Sequence, residues 1–300
     1  MAAKNIVLIY NPRAGGLNKT TNPVHLLVTA LKKRNIELPK DQIRATTCAG
    51  DATRLAAQAV TQAAEILIVC GGDGTINEAA QALIGTKTAL VVLPTGTANV
   101  LAKELKLPRH PEAIADLIAS GSRREISVGL AEKPDQSWQR YFLLMAGIGL
   151  DATIIEAVNP AQKKQWGIGS YIIAGLKTLV AWPLKSFSLQ FNQQHCAATF
   201  AIVANAANYA AWFKIAPQAR LDSAQLDVCI FNSKSRLSYL TYACLSLFGA
   251  HTLSPAVIYQ PITEMNADSP EAVPVQLDGE LAGHLPMRFS CVPHALQIVA

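Results

Sequence analysis

The chain has 300 residues, half of them apolar and 16% charged, and its formal net charge is +5 at pH 7. This length favours two domains, because a single hydrophobic core stops growing near roughly 250–300 residues. The basic residues are dispersed along the chain, which excludes a dedicated nucleic-acid binder but suits a protein that meets anionic substrates or an anionic membrane surface.

The six cysteines are scattered, with no CxxC pair and no histidines at zinc-ligand spacing. We therefore expect free thiols in a reducing, cytoplasmic compartment. Residues 237–259 are largely apolar, but Ser, Thr, His and Pro interrupt them, and no uninterrupted run approaches the ~20 residues of a membrane span. We expect a packed or interfacial helix there, in a soluble chain with at most peripheral membrane contact at the inner face.

Residues 1–124 alternate between apolar strands and helices. Apolar runs predict strands at 5–10, 65–70 and 89–93, and residues 43–47 could form a short strand. Helical periodicity predicts helices at 23–34, 51–64, 75–84 and 97–105. This alternation predicts a doubly wound α/β domain, with a parallel sheet covered on both faces.

From about residue 125 the pattern changes to short strands separated by turn signals. Candidate strands lie at 126–130, 141–146, 186–191, 199–205, 225–231, 257–263, 273–277 and 288–291, with helical insertions near 169–181 and 236–250. Their spacing predicts a mostly antiparallel β-sandwich domain over residues 125–300. We expect the active site in the cleft between the two domains.

A glycine-rich loop at residues 71–75 follows a predicted buried strand and opens a predicted helix. Glycines let backbone N–H groups approach a phosphate, and the start of a helix adds partial positive charge. Asp73 would repel a phosphate unless a cation lay between them, which indicates a role for Mg²⁺, direct or through water. The alternative is a tight turn of any doubly wound sheet, and Asn77 and Glu78 one turn later weigh against it.

Two further glycine-containing loops, at residues 11–16 and 93–99, also follow predicted strands. Open α/β sheets bind ligands at the carboxyl ends of their strands. Each loop alone could be an ordinary turn, but the three together predict a phosphate site. The GxxxxGK[ST] pattern is absent, so this is not a Walker-type site.

These loops and a late Asp-Gly-Glu at 278–280 resemble the diacylglycerol kinase catalytic domain family, specifically the bacterial soluble lipid kinases related to sphingosine and ceramide kinases. The resemblance covers nearly the whole chain, and it rests also on Thr46 and on residues 50–52, 147–152 and 205–217. It implies transfer of the ATP γ-phosphate, assisted by Mg²⁺, to a hydroxyl of diacylglycerol or a related lipid, giving phosphatidic acid or a similar phospholipid.

The resemblance also implies residue roles. The ATP site would be lined by Asn11, Pro12, Arg13, Ala14, Gly15, Thr46, Gly72, Asp73, Gly74, Thr75, Ile76, Asn77, Glu78 and Thr97. Glu280 would be the general base toward the acceptor hydroxyl, with Asp278 beside it and Asp73 as the third catalytic carboxylate. Asp151 would help to hold the catalytic Mg²⁺ through water. For the Asp-Gly-Glu sequence alone, a hairpin turn is the alternative.

Two positions depart from the family pattern. Many members carry Asp where this chain has Val100, so one acidic residue is lost from the nucleotide side. In a stretch that often binds a structural Mg²⁺, Ser223 replaces a ligand Asp, which puts that metal in doubt. These departures keep open a catalytically silent regulator that binds lipid or nucleotide. An NAD kinase or a phosphofructokinase, which share a GGDG-type loop, is less favoured.

On the lipid side, Lys163, Lys164 and Trp166 lead into an amphipathic segment that extends to Trp182 and Lys185. Such a segment could lie at an anionic bilayer surface, and a core-packing helix is the alternative. An edge strand could pair two copies, so a homodimer stays open. The histidines are isolated, and none is given a role.

Overall fold

The structure is a computed structural model that describes residues 5–14, 22–157, 175, 178–209 and 213–300. The chain divides into two compact units, the first comprising Met1–Ile126 and His294–Ala300 and the second Ser127–Pro293. The chain thus re-enters the first unit at its end, a feature that the strand pattern does not indicate. Gly15 of the predicted ATP site, and residues 163–174, 176 and 177 of the predicted amphipathic segment, lie outside the described residues.

A parallel sheet forms the centre of the first unit. Its strands are β1 (Ile6–Tyr10), β2 (Ile43–Ala45), β3 (Ile66–Gly71) and β4 (Ala89–Pro94). They run in the order β2-β1-β3-β4 and each neighbouring pair is parallel. Strand residues facing either side of the sheet are buried, for example Leu8 and Ile68 on one side and Ile9 and Val69 on the other. Burial on both faces explains the continuous apolar runs in the sequence and confirms the predicted α/β class.

The helices of this unit are α1 (Pro23–Lys33), α2 (Asp51–Thr61), α3 (Asp73–Gln81), α4 (Val100–Glu104) and α5 (Pro111–Ser120). Local signals define their ends. The Asn22 side chain accepts the Val24 N–H before α1, and proline takes the first position of the helix. Gly121 ends α5 in the left-handed conformation that glycine adopts freely.

The remaining strands are β5 (Arg123–Glu132), β6 (Gln139–Phe142), β7 (Met145–Gly149), β8 (Phe187–Phe191), β9 (Gln194–Ala198), β10 (Phe200–Ala204), β11 (Leu226–Phe231), β12 (Val257–Ile262), β13 (Glu264–Asp268), β14 (Pro274–Leu277), β15 (Glu280–His284) and β16 (Met287–Val299). In the part of the chain that the structure describes, the helices α6 (Leu150–Ala157) and α7 (Arg236–Ser246) accompany them.

The second unit is an antiparallel β-sandwich, as predicted. One sheet has the order β12-β11-β10-β7-β14-β15, and in the other β16, β13, β8 and β9 are successive neighbours. Residues of both sheets share one core, with Ile148 and Val203 from the first and Leu189 and Phe289 from the second. Among the described helices, none combines the length and the apolar character needed to cross a bilayer.

Candidate active site

Asn11 joins the first two glycine-containing loops of the first unit. Its backbone N–H donates to the Cys70 carbonyl at 2.9 Å, and its side-chain Nδ2 donates to Thr75 Oγ1 at 3.2 Å. Its Oδ1 accepts the Arg13 N–H at 2.9 Å, which fixes the turn that carries the exposed Pro12 and Arg13. The amide of Asn11 therefore holds two predicted ATP-binding segments in contact, next to the start of α3.

The loops at residues 71–75 and 93–99, which are the second and third along the chain, approach each other through their backbones. A Cβ atom added to Gly96 would lie 2.5 Å from the Gly72 Cα, which is far inside van der Waals contact. The Thr95 N–H also donates to the Gly71 carbonyl at 3.0 Å. All three loops thus meet at the carboxyl end of the parallel sheet, where the sequence predicts them.

Asn99 shapes the third loop. Its side chain accepts the Gly96 N–H at 2.9 Å and donates to the Gly96 carbonyl at 2.8 Å, and its own φ is +48°. This closed turn leaves Thr97 exposed. Because Asn99 leaves the helical conformation, α4 begins only at Val100, three residues later than the sequence predicts.

Asp73 has a structural task that the sequence does not indicate. One carboxylate oxygen accepts the Leu101 N–H at 3.3 Å. Burial raises the pKa of Asp73, and hydrogen bonds from the backbone N–H groups of Leu101, Val100 and Asn99 oppose that rise. The carboxylate therefore caps the start of α4 and fastens the third loop to the second.

The other predicted nucleotide residues lie around these loops. The Thr46 N–H donates to the Tyr10 carbonyl at 2.9 Å, and the Glu78 carboxylate accepts the Gly50 N–H at 3.0 Å. Ile76 is fully buried, so its side chain belongs to the core and only its backbone could face a nucleotide. Among the predicted nucleotide residues that the structure describes, Pro12, Arg13 and Thr97 are exposed.

In the second unit, Asp278 holds a turn. Its carboxylate accepts the N–H groups of Leu143, Leu144 and Met145 at 2.6, 2.9 and 2.9 Å, and its φ is +49°. Its N–H donates to the Met145 carbonyl at 2.9 Å. Asp278 thereby ties the β14–β15 turn to the segment between β6 and β7, which is a positioning role.

Glu280 lies at the start of β15 and pairs with Arg140 of β6. Arg140 Nη2 donates to Glu280 Oε2 at 2.5 Å, and the Glu280 side chain is 44% exposed. The pair orients a carboxylate that solvent, and hence a substrate, can still reach. Nothing near Glu280 in the sequence points to Arg140, because the two residues are 140 positions apart.

A buried network connects Asp151 with the same turn. Asp151 accepts a hydrogen bond from the Tyr209 hydroxyl and another, at 2.5 Å, from Gln276 Nε2. Gln276 Oε1 in turn accepts the Gly279 N–H at 2.7 Å. Burial raises the pKa of Asp151 to about 6, against the lowering effect of its two hydrogen bonds. Sequence reasoning missed Tyr209 and Gln276, which only the fold brings to Asp151.

Proteins bind Mg²⁺ through oxygen ligands, chiefly carboxylates, so the acidic residues of the structure are the candidates. The described residues contain no group of three or more His, Cys, Asp and Glu side chains able to hold a metal. Mg²⁺ at phosphoryl-transfer sites takes one or two carboxylates and completes its shell with phosphates and water. Asp73 in the first unit and Asp151 in the second each offer one carboxylate, which fits Mg²⁺ that arrives with a nucleotide and not a cage of protein ligands.

The stretch around Ser223 does not fit a structural metal. Arg220 binds the Asp222 carboxylate in a bidentate pair, Nε to Oδ1 at 3.0 Å and Nη2 to Oδ2 at 2.8 Å. Ser223 Oγ accepts the Gln225 N–H at 3.1 Å. Protein groups thus engage both polar side chains.

Comparisons with known proteins identify the family. The diacylglycerol kinase catalytic domain matches residues 5–131, and the YegS C-terminal NAD kinase beta sandwich-like domain matches residues 145–300. A diacylglycerol kinase of Staphylococcus carnosus (strain TM300) is 30% identical over 292 residues, which are 95% of this chain and 92% of that protein. The chain belongs to the diacylglycerol kinase family.

Other members of the diacylglycerol kinase family extend the match. A diacylglycerol kinase of Bacillus subtilis (strain 168) is 28% identical over 291 residues, covering 95% of this chain and 93% of that protein. The crystal structure of a diacylglycerol kinase from Bacillus anthracis str. Sterne is similar, with a TM-score of 0.78 and 22% sequence identity. The match covers 100% of this chain and 98% of the Bacillus anthracis chain. The predicted family is confirmed, and with it the enzyme class, a diacylglycerol-kinase-like phosphotransferase.

Proposed function

We propose that this chain is an ATP-dependent lipid kinase that transfers the γ-phosphate of ATP to a hydroxyl of diacylglycerol or a related lipid. The product would be phosphatidic acid or a similar phospholipid. The observation that carries this proposal is the convergence of three loops on the Gly72–Gly96 approach, in a chain whose relatives are named diacylglycerol kinases. We place the reaction in the cytoplasm, with peripheral contact to an anionic membrane.

The first unit binds ATP in this proposal. The first N–H groups of α3 have no partner inside the helix and carry its partial positive charge, which suits a phosphate. Arg13 is exposed on the adjoining turn and can pair with phosphate oxygens. Thr97 is exposed on the third loop. When bound, Mg²⁺ neutralises phosphate charge, and Asp73 and Asp151 are the residues that would hold it directly or through water.

The second unit supplies the general base. Glu280 is the accessible carboxylate of the Asp-Gly-Glu turn, because the carboxylate of Asp278 is occupied by three N–H groups. Arg140 orients Glu280 through their ion pair. Glu280 takes the proton of the acceptor hydroxyl as the oxygen attacks the γ-phosphorus, and ADP leaves with the electrons of the broken P–O bond.

A lipid-panel kinase assay tests the proposal. Purified full-length protein is incubated with radiolabelled ATP, Mg²⁺ and mixed micelles of single lipids, and products are identified by mass spectrometry. We expect label in diacylglycerol or a related lipid, and a loss of about 100-fold or more in Glu280→Gln, the range for removal of a general base. Glu271→Gln, an exposed acidic residue of the same unit, is the control and should behave as the wild type.

Two outcomes would contradict this assignment in different ways. Incorporation that is unchanged in Glu280→Gln would remove this residue as the base while leaving the kinase. Tight ATP binding without incorporation into any lipid would instead favour a silent regulator, the alternative prompted by Val100 and Ser223.

A further inference from the structure

Helix α7 and the segment after it present an apolar stripe to solvent. The stripe consists of Leu237, Leu240, Leu247, Phe248 and Leu253. Leu237, Phe248 and Leu253 are 71%, 81% and 84% exposed. Leu237 and Leu240 have the spacing i, i+3 within α7, which places them on one side of the helix, and Leu247 and Phe248 follow directly after its end. Surface helices usually bury their apolar side against the core, whereas α7 exposes apolar residues to solvent.

The inner side of α7 is already packed. Tyr239 is 4% exposed, and its ring lies 5.1 Å from the Trp182 ring in a near-perpendicular arrangement. Its hydroxyl is hydrogen-bonded to Thr199 and to the backbone of Ser233. The side of α7 that carries Tyr239 therefore packs against the rest of the second unit. The apolar stripe on the outer side remains exposed, and exposed apolar patches of this kind mark interaction sites.

The charged residues in the segment that carries the stripe are all basic. No Asp or Glu occurs between Asp227 and Glu264. Lys234 and Arg236 are exposed at the start of α7, and Lys214 is exposed beside its end, where its N–H donates to the Ser246 carbonyl at 2.8 Å. In the part of the chain that the structure describes, none of these three cations forms an ion pair.

We propose that this apolar stripe docks on an anionic lipid bilayer. Leu237, Phe248 and Leu253 enter the boundary between headgroups and acyl chains, and the cations at both ends of the stripe pair with lipid phosphates. The proposal deepens the proposed function, since the acceptor lipid resides in a bilayer. It assigns membrane contact to residues 234–253, one of the two segments, with 163–185, that the sequence pattern offers for it.

A second copy of the chain fits this surface less well. A two-fold interface sets the same patch against itself, so Lys234 and Arg236 would meet other cations with no carboxylate in the segment to pair with them. Anionic headgroups offer the complementary charge. A dimer is therefore an outcome that the test below must distinguish.

Vesicle flotation tests the apolar part. The full-length protein is mixed with large unilamellar vesicles of phosphatidylglycerol and phosphatidylcholine in equal amounts, or of phosphatidylcholine alone. We expect binding to the anionic vesicles and a loss of roughly tenfold or more in the double variant Leu237→Ser/Phe248→Ser, because each side chain loses its transfer into apolar surroundings. Leu26→Ser changes a 46%-exposed leucine of α1 and should bind as the wild type.

Charge reversal tests the basic part. The double variant Lys214→Glu/Lys234→Glu should lose the preference for phosphatidylglycerol vesicles by roughly tenfold or more, since each basic residue near such a surface attracts it and each acidic one repels it. Lys87→Glu, an exposed position in the first unit, should keep that preference. Added salt should weaken wild-type binding and leave the charge-reversed protein little changed.

Three further results decide the outcome. Wild-type protein that ignores anionic vesicles, or a serine variant that floats like the wild type, would overturn the docking surface. The wild type could instead be a dimer in analytical ultracentrifugation while the serine variant is a monomer that still binds vesicles. That result would assign the stripe to contact between two chains. Phosphorylation of detergent-dispersed dioctanoylglycerol, unchanged in the serine variant, shows that its fold is intact and separates failure of docking from failure of the proposed kinase.

Discussion

The close approach of Gly72 and Gly96 makes an asymmetric prediction. A methyl group added at Gly96 would lie 2.5 Å from the Gly72 Cα and 2.9 Å from Asn99 Oδ1, whereas one added at Gly72 would lie 3.3 Å from the Gly96 Cα. Ordinary contacts begin near 3.4 Å, so Gly96→Ala must push the loops apart by about 1 Å, and Gly72→Ala by a few tenths. The same chemical change therefore has two different consequences.

The magnitudes follow from this geometry. Overpacking of this kind costs about 1–3 kcal/mol, so the thermal midpoint of Gly96→Ala should fall by several degrees. In Gly72→Ala the small overlap is offset by the lower entropy of the unfolded chain, so the free energy of unfolding should stay within about 1 kcal/mol of the wild type. A shift of about 1 Å in a reacting group can lower turnover by about 100-fold, which we expect for lipid phosphorylation by Gly96→Ala.

Circular dichroism melting and steady-state kinase assays of the two variants check this reasoning together. Calorimetric titration with a non-hydrolysable ATP analogue and Mg²⁺ shows whether the loop shift weakens nucleotide binding. Equal melting of the two alanine variants, or a less stable Gly72→Ala, would refute the backbone approach as the element that holds the loops together.

Three further predictions concern the second unit. Arg140→Leu should lower turnover by roughly tenfold with ATP affinity unchanged, and Arg140→Lys should restore part of it, because the arginine orients Glu280. Asp278→Ala should lower the free energy of unfolding in urea by about 2–3 kcal/mol, since it strips three backbone N–H groups of their acceptor. Burial lowers the pKa of His251, so below the ordinary value of 6.5 the unfolded chain binds a proton that the folded chain does not. This contribution of His251 destabilises the fold as pH drops from 7.5 to 5.5, so the thermal midpoint of the wild type should fall relative to that of His251→Gln over this range.

Much of the first unit could be predicted from the sequence because its signals are local. Strands buried on both faces appear as continuous apolar runs, and phosphate loops require glycine where backbones approach closely. The helix α5 was missed, although Pro111 and Gly121 mark its two ends. The strand β9 was missed because most of its residues are exposed and show no apolar alternation.

The site of the second unit was predicted only in part, for a physical reason. The Asp-Gly-Glu motif is continuous and visible, but its partners come from distant strands. Arg140 reaches Glu280, and Gln276 reaches Asp151, only after the strands have paired. Likewise the resemblance implies a catalytic role for Asp278 beside the base, and only the fold reveals that its carboxylate accepts three backbone N–H groups.

Because the chain returns to its first unit at residues 294–300, that unit can finish folding only after the second unit has been synthesised. Ile298 adds to the sheet beside Leu90, the Gly85 N–H donates to the Ala295 carbonyl at 2.8 Å, and Val299 is part of the core. Residues 1–126 are translated first, yet their sheet has an open edge at β4 until residues 294–300 leave the ribosome. Completion of the first half therefore waits for synthesis of the second, and a nascent or truncated chain lacking residues 294–300 carries an unpaired strand edge.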